Sequence, residues 1–245
     1  AVATAAGPEP IEAVGVGVPG FVRGRTVLAS PNFPTWREVP LAALLEERLG
    51  APVSILNDAN AAALGAWGQH GGGEDLVLLT LGTGVGGGVI SEGRLLTGRA
   101  GTGAELGHIY VGGPRPCACG GVGCLEAWCS TTGLIRGAAE LGHEVSDGAE
   151  VIAAASEGQR WASELLDEAG RRLGIGLVTL INVFAPRIVA IAGGLSQASG
   201  VLAPPAEAWL RRHGIAANVD HVSIAWLGPA DELAIEGAAR AAGAR

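Results

Sequence analysis

Hydrophobic and polar positions along the chain alternate between two periods. Residues 13–18 (Ala-Val-Gly-Val-Gly-Val) read as a short buried strand, closed by the turn pair Pro19-Gly20. Val27 and Leu28 suggest another strand before the loop Ser30-Pro31-Asn32-Phe33-Pro34. From Pro40 the apolar residues Leu41, Leu44, Leu45 and Leu49 recur at helical spacing and stop at Gly50, a good C-cap. Residues 53–56 form a strand with Asn57-Asp58 at its carboxyl end, followed by an alanine-rich helix over 59–68. After a glycine break at 71–73 come a strand over 76–81, a tight glycine turn, and a second strand ending in the turn Glu92-Gly93 before Arg94-Leu95-Leu96. The region 131–184 is mostly helical, with one long helix near 159–184. A strand at 187–192, helix 204–213, strand 222–226 and helix 231–242 complete the chain. Strands that alternate with helices but also form hairpins predict an α/β fold with mixed sheets.

Composition narrows the function classes. The chain has 245 residues, 48% of them hydrophobic, which is ample for a buried core. Net charge is −8 and the sixteen basic residues are all arginine, scattered singly or in pairs. No basic patch for nucleic acid is visible. No uncharged apolar run reaches the length of a membrane span, and no basic segment leads an apolar one. A soluble cytoplasmic protein is therefore expected. The absence of lysine and methionine points to a GC-rich genome, and a chain without an initiator methionine reads as a fragment.

Three cysteines, Cys117, Cys119 and Cys124, lie within eight positions, with His108 nine residues upstream of the first. Thiolate sulfur and imidazole nitrogen are ligands that zinc favours, and four protein ligands close the coordination sphere, so such a site ties a loop and leaves no position for reactive water. The tight spacing and the lack of a secretory segment favour a metal over disulfides. Cys129 lies off the pattern, on a helix, as a buried thiol. Glu105 precedes His108 by three and Glu126 follows Cys124 by two, so a metal knot would fix two acceptor groups able to orient a hydroxyl-rich ligand.

Two further constellations each have a plain alternative. Asp58, after a strand, either takes a proton from a substrate hydroxyl or caps the helix that follows. Gly82-Thr83-Gly84-Val85-Gly86-Gly87-Gly88 offers backbone N–H groups and a hydroxyl to an anion, or is a tight hairpin without ligand. Gly193-Gly194 after a strand reads first as a turn.

In order, these pieces resemble the ROK family of sugar kinases and sugar-responsive repressors. The resemblance runs from Gly15-Val-Gly-Val-Pro-Gly20 through Ser30-Pro-Asn32, Asn57-Asp58 and Leu81-Gly-Thr-Gly-Val-Gly-Gly-Gly88. It continues through Glu105-Leu-Gly-His108, Cys117-Ala-Cys-Gly-Gly-Val-Gly-Cys-Leu-Glu126 and Gly193-Gly194. It implies an actin-like ATPase (ribonuclease-H-like) fold of two lobes. Residues 1–62, joined by the helix 231–245, would form the first lobe, and 63–230 the larger second lobe with the zinc loop.

The resemblance also implies transfer of the ATP γ-phosphoryl group to a hexose, with magnesium and a structural zinc, in a homodimer or tetramer. Asp58 would be the general base. Asn32, Asn57, Glu105, His108 and Glu126 would bind the sugar; Gly82, Thr83, Gly84, Gly193 and Gly194 would face the nucleotide. His108, Cys117, Cys119 and Cys124 would hold zinc.

Two departures stand out. The family's opening Asp-x-Gly-Gly-Thr strand-turn, which helps position magnesium and phosphate, has no counterpart before Gly15, so the first lobe is expected to be truncated. Ala104 stands where a glycine usually precedes the Glu of Glu-x-Gly-His. The leading expectation is an ATP-dependent hexose kinase acting on glucose. The alternatives are the sugar-sensing domain of a repressor and an inactive sugar-binding remnant.

Overall fold

The computed structural model describes residues 10–243. The chain separates into two compact units. The first holds the described residues of Ala1–Gly73, Gly88–Ala104 and Asp231–Arg245; the second is Glu74–Gly87 with Glu105–Ala230.

In the first unit, β1 (Val14–Val18) pairs in parallel with β5 (Val53–Asn57), register Val14 to Val53 and Val18 to Asn57. Both strands therefore end at the same level, which places Asn57 beside the carboxyl end of β1. Three short strands, β2 (Phe21–Arg23), β3 (Thr26–Ala29) and β4 (Arg37–Val39), form an antiparallel meander. The helix α1 (Leu41–Leu49) carries Ala42 into a core with Val14, Val18, Val22, Val27, Val53 and Ile55. A left-handed Gly50 ends α1, as the sequence predicts. The strands β2 and β4 are too short to leave an alternating pattern in sequence.

The alanine-rich helix α2 (Asp58–Gln69) buries Ala59, Ala61, Ala62, Ala63 and Ala66. Small side chains there admit the backbone of the last helix, α9 (Ala230–Gly243). A Cβ on Gly237 would stand 1.7 Å from the Ala61 carbonyl oxygen, and one on Gly15 1.8 Å from that of Ala238. The Ala- and Gly-rich composition is thus used to pack α9 on α2 and β1 at backbone distance.

The second unit centres on the parallel strands β10 (Ser223–Trp226), β9 (Ile188–Ala192) and β6 (Leu76–Leu81), in that order. Five of the six β6 residues are buried, as expected of a strand covered on both faces. The chain turns at Gly82–Gly84 into β7 (Val85–Ser91), within which it passes to the first unit. There Ile90 and Ser91 pair with Leu95 and Arg94 of β8 (Arg94–Leu95).

Helices α3 (Glu126–Cys129), α4 (Thr131–Glu140) and α5 (Gly148–Ser156) lead to the long α6 (Arg160–Phe184). Along α6 the buried positions Leu166, Ala169, Leu173, Leu177, Leu180 and Ile181 recur at three or four residues and face the core. Helix α7 (Ser199–His213) begins five residues before the predicted start at 204, because Pro204 and Pro205 lie inside it instead of opening it. The short α8 (Ala216–Val219) precedes β10. No described helix is long and apolar enough to cross a membrane.

Candidate active site and metal centre

The cysteine loop closes on itself through backbone pairs. Tyr110 bridges to Cys124 and Pro116 to Val122, and the Cys117 N–H donates to the Gly121 carbonyl at 2.8 Å. This folds Cys117, Cys119 and Cys124 back onto the 3-10 turn Leu106–His108. One donor atom from each of His108, Cys117, Cys119 and Cys124 lies within 4.8 Å of all the others. His108 Nδ1 is 3.6 Å from Cys117 Sγ, and Cys119 Sγ is 3.7 Å from Cys124 Sγ. A tetrahedral zinc with a bond of about 2.3 Å to sulfur sets sulfurs roughly 3.8 Å apart, so these spacings fit one ion.

The Nδ1 atom is the imidazole nitrogen that faces the thiols, which leaves Nε2 directed away from them. Burial pushes the Cys117 thiol up to about 12 and raises that of Cys124 as well. Cys119, onto which the Gly121 N–H donates at 3.4 Å, is lowered by that bond. A metal must displace the thiol protons to bind, so its affinity rises with pH. Cys129, predicted as a buried bystander, is 2% exposed and donates to the Ala169 carbonyl at 3.2 Å.

Behind the loop, the Arg115 and Arg172 guanidiniums stand 4.0 and 4.4 Å from the centroid of the Trp128 ring. The Trp128 indole N–H donates to the Gly112 carbonyl at 3.1 Å. Arg172 also donates to the Val111 carbonyl at 2.8 Å, and Arg115 pairs with Glu140 at 3.0 Å. These cation–π contacts fasten the loop to α3 and α6.

Glu126 opens α3 and reaches the glycine turn: its Oε2 accepts the Val85 N–H at 3.0 Å, while Oε1 lies 3.5 Å from Cys117 Sγ. The turn is held on its other atoms by the start of α4. The Thr131 N–H donates to the Gly82 carbonyl at 2.8 Å, and the Thr132 hydroxyl to that of Thr83 at 2.9 Å. The buried Ser130 hydroxyl donates to the Glu126 carbonyl at 2.7 Å and accepts the Gly133 N–H, capping α4.

Sequence reasoning missed this brace. Ser130 before Thr131-Thr132 is a legible cap signal, but nothing local says which carbonyls the next two residues hold. Thr83 itself is exposed at the turn's tip. Gly193, at the end of β9, packs against the Leu81 backbone, where an added Cβ would stand 2.5 Å from the carbonyl oxygen. Gly194 beside it is exposed.

The remaining residues fall in two places. Glu105 is exposed and precedes the turn that carries His108, whose N–H donates to the Glu105 carbonyl at 3.1 Å. In the first unit, Asn57 is the N-cap of α2: its Oδ1 accepts the Asn60 N–H at 3.1 Å. Its Nδ2 donates to the Gly20 carbonyl at 3.1 Å. The cap expected as one reading of Asp58 thus belongs to its neighbour. Asp58 is the first helical residue, exposed, with Oδ1 on the Ala59 N–H at 2.9 Å. Asn32 is exposed in the loop where Phe33 and Trp36 stack at 4.6 Å.

The model of the ROK family matches residues 3–241. A glucokinase of Thermotoga maritima is 43% identical over 212 residues, which cover 78% of this chain and 67% of that protein. A xylose repressor of Caldicellulosiruptor bescii is 35% identical over 205 residues, 75% of this chain and 50% of that protein. The chain therefore spans about two thirds of one relative and half of the other. The crystal structure of a ROK glucokinase from Streptomyces griseus, in complex with glucose and AMPPNP, superposes with a TM-score of 0.81 at 35% identity, covering 99% of this chain and 85% of that one. The α/β architecture with mixed sheets is that of the actin-like ATPases. A family match over nearly every residue, spanning both the glycine turn and the Cys-His loop, makes this chain a member of the ROK family.

Proposed function

We propose that this chain performs ATP-dependent phosphorylation of a hexose, with glucose the first candidate and glucose 6-phosphate the product. Support comes from the 43% identity to a glucokinase and from the likeness to a glucokinase that holds glucose and AMPPNP. The observation that carries the reading is the division of labour at Asn57-Asp58. Asn57 is the N-cap, so the exposed Asp58, whose Oδ1 takes the Ala59 N–H, keeps its other carboxylate oxygen for a substrate hydroxyl. Asp58 would accept the proton of the attacking hydroxyl as the γ-phosphoryl group transfers.

Asn32, Asn57, Glu105, His108 and Glu126 would hydrogen-bond the sugar hydroxyls. A site of fixed amides and carboxylates rejects analogues that leave those groups unpaired. The turn with Gly82, Thr83 and Gly84, and the Gly193-Gly194 pair, would face ATP and its Mg²⁺. His108, Cys117, Cys119 and Cys124 would hold zinc, which would fix the loop and take no part in bond making. With Nδ1 on the thiol side, His108 would keep Nε2 for the sugar.

The test is direct: purified zinc-loaded protein is incubated with Mg·ATP and a panel of hexoses, and sugar phosphate is measured by mass spectrometry. Formation of a hexose phosphate supports the reading, and glucose is expected to be the best acceptor. Tight sugar binding with no phosphoryl transfer to any hexose would instead favour the sugar-sensing role suggested by the 35% identity to a xylose repressor.

A further inference from the structure

We infer that Glu126 is a positioning residue that couples the metal centre to the Gly82–Val85 turn. Four observations meet at Val85, a residue 6% exposed at the first position of β7. Its N–H donates to Glu126 Oε2 at 3.0 Å, across 41 positions of sequence. Its carbonyl oxygen faces Gly107, where a Cβ would stand only 2.0 Å away. Glu126 lies two residues after Cys124, and Gly107 one residue before His108, so Val85 is held from both sides by the segments that carry the cluster. The other oxygen of Glu126 lies 3.5 Å from Cys117 Sγ, so the carboxylate touches the cluster and the turn at once.

The neighbouring turn atoms are tied to the same segment. Glu126 Oε2 also lies against Gly84, within 2.6 Å of where a Cβ would be. The Ser130 hydroxyl bonds the Glu126 carbonyl, and Thr131 and Thr132 hold the Gly82 and Thr83 carbonyls. A cluster that gathers His108 and the cysteines fixes Glu126 and Gly107 relative to Val85, and through them the direction of the turn's N–H groups. Without the metal the loop relaxes, Glu126 leaves Val85, and the turn loosens. A carboxylate can accept as many as about four hydrogen bonds, so this role is compatible with a sugar contact by the same side chain. The coupling itself stands on geometry. Its consequence for nucleotide affinity rests on the reading of the turn as phosphate-facing.

The experiment is amide hydrogen exchange at Val85, read by NMR in the whole protein, with metal content measured on the same samples. Glu126→Ala is expected to keep its metal and to speed Val85 exchange by about ten-fold or more. Chelation of the wild-type protein is expected to speed it similarly, and chelation of Glu126→Ala to add little further. Glu126→Gln retains an acceptor and is expected to restore most of the protection. Should Glu126→Ala fold poorly, the chelated wild type and Glu126→Gln decide the matter. Unchanged Val85 exchange after chelation, or in Glu126→Ala, or effects that simply add, would overturn the coupling. A coupling seen in exchange together with no binding of an ATP analogue to any form would sink the kinase reading and leave the coupling standing.

Discussion

His108 Nδ1 points at Cys117 Sγ from 3.6 Å, which settles which face of the imidazole belongs to the cluster. The ring then has one nitrogen on the thiol side and one directed away from it. Substituting His108→Ala removes a ligand and a hydrogen-bonding group in one step. Zinc is expected to fall well below one equivalent by elemental analysis, and sugar affinity to drop by about ten-fold or more in calorimetry. Cys129→Ala, which changes a thiol bonded to the Ala169 carbonyl and remote from the pattern, should keep one zinc per chain.

The thiols should also separate by reactivity. Burial holds the Cys129 thiol near 12, so it stays protonated and inert through pH 9, where an ordinary thiol is half ionised. After chelation, Cys119 should alkylate first, because it is exposed and the Gly121 N–H lowers its pKa, while burial holds Cys117 and Cys124 up. Its modification rate rises as pH approaches that lowered value from below. Mass mapping after timed iodoacetamide treatment checks the order, and Cys129 reacting before denaturation would contradict it.

Ala104 gives a stability prediction from a single dihedral. Its φ is +62°, in the left-handed region where a Cβ costs roughly 1 kcal/mol or more. The sequence departs here from a glycine usual in the family, and the backbone still adopts the conformation a glycine would take freely. Ala104→Gly regains the strain and gives back part of it as unfolded-chain entropy, for a net gain of about 0.5–1 kcal/mol. Chemical denaturation would register this as a higher midpoint with an unchanged slope.

How much of this was legible beforehand depends on whether the signal was local. The helix Arg160–Phe184 is written in its apolar spacing, and the Cys-His cluster is written in its own, because His108, Cys117, Cys119 and Cys124 all fall within the short stretch 108–124. The cap at Asn57 was ambiguous, since Asn and Asp both cap well and stand side by side; only the Asn60 N–H decides between them. The start of α7 was obscured by Pro204-Pro205. The bond from Val85 to Glu126 joins residues 41 apart, and no periodicity or propensity encodes a contact of that kind.

Asp58 carries the central claim, that an exposed aspartate beside the N-cap takes the proton from a sugar hydroxyl during phosphoryl transfer. Asp58→Asn keeps the shape and the helix start, so sugar affinity measured by calorimetry should stay close to that of the unaltered protein. Turnover with ATP should fall by about 10²-fold or more. A variant that phosphorylates hexose at the full rate, or that loses sugar binding and turnover in equal measure, would contradict the account.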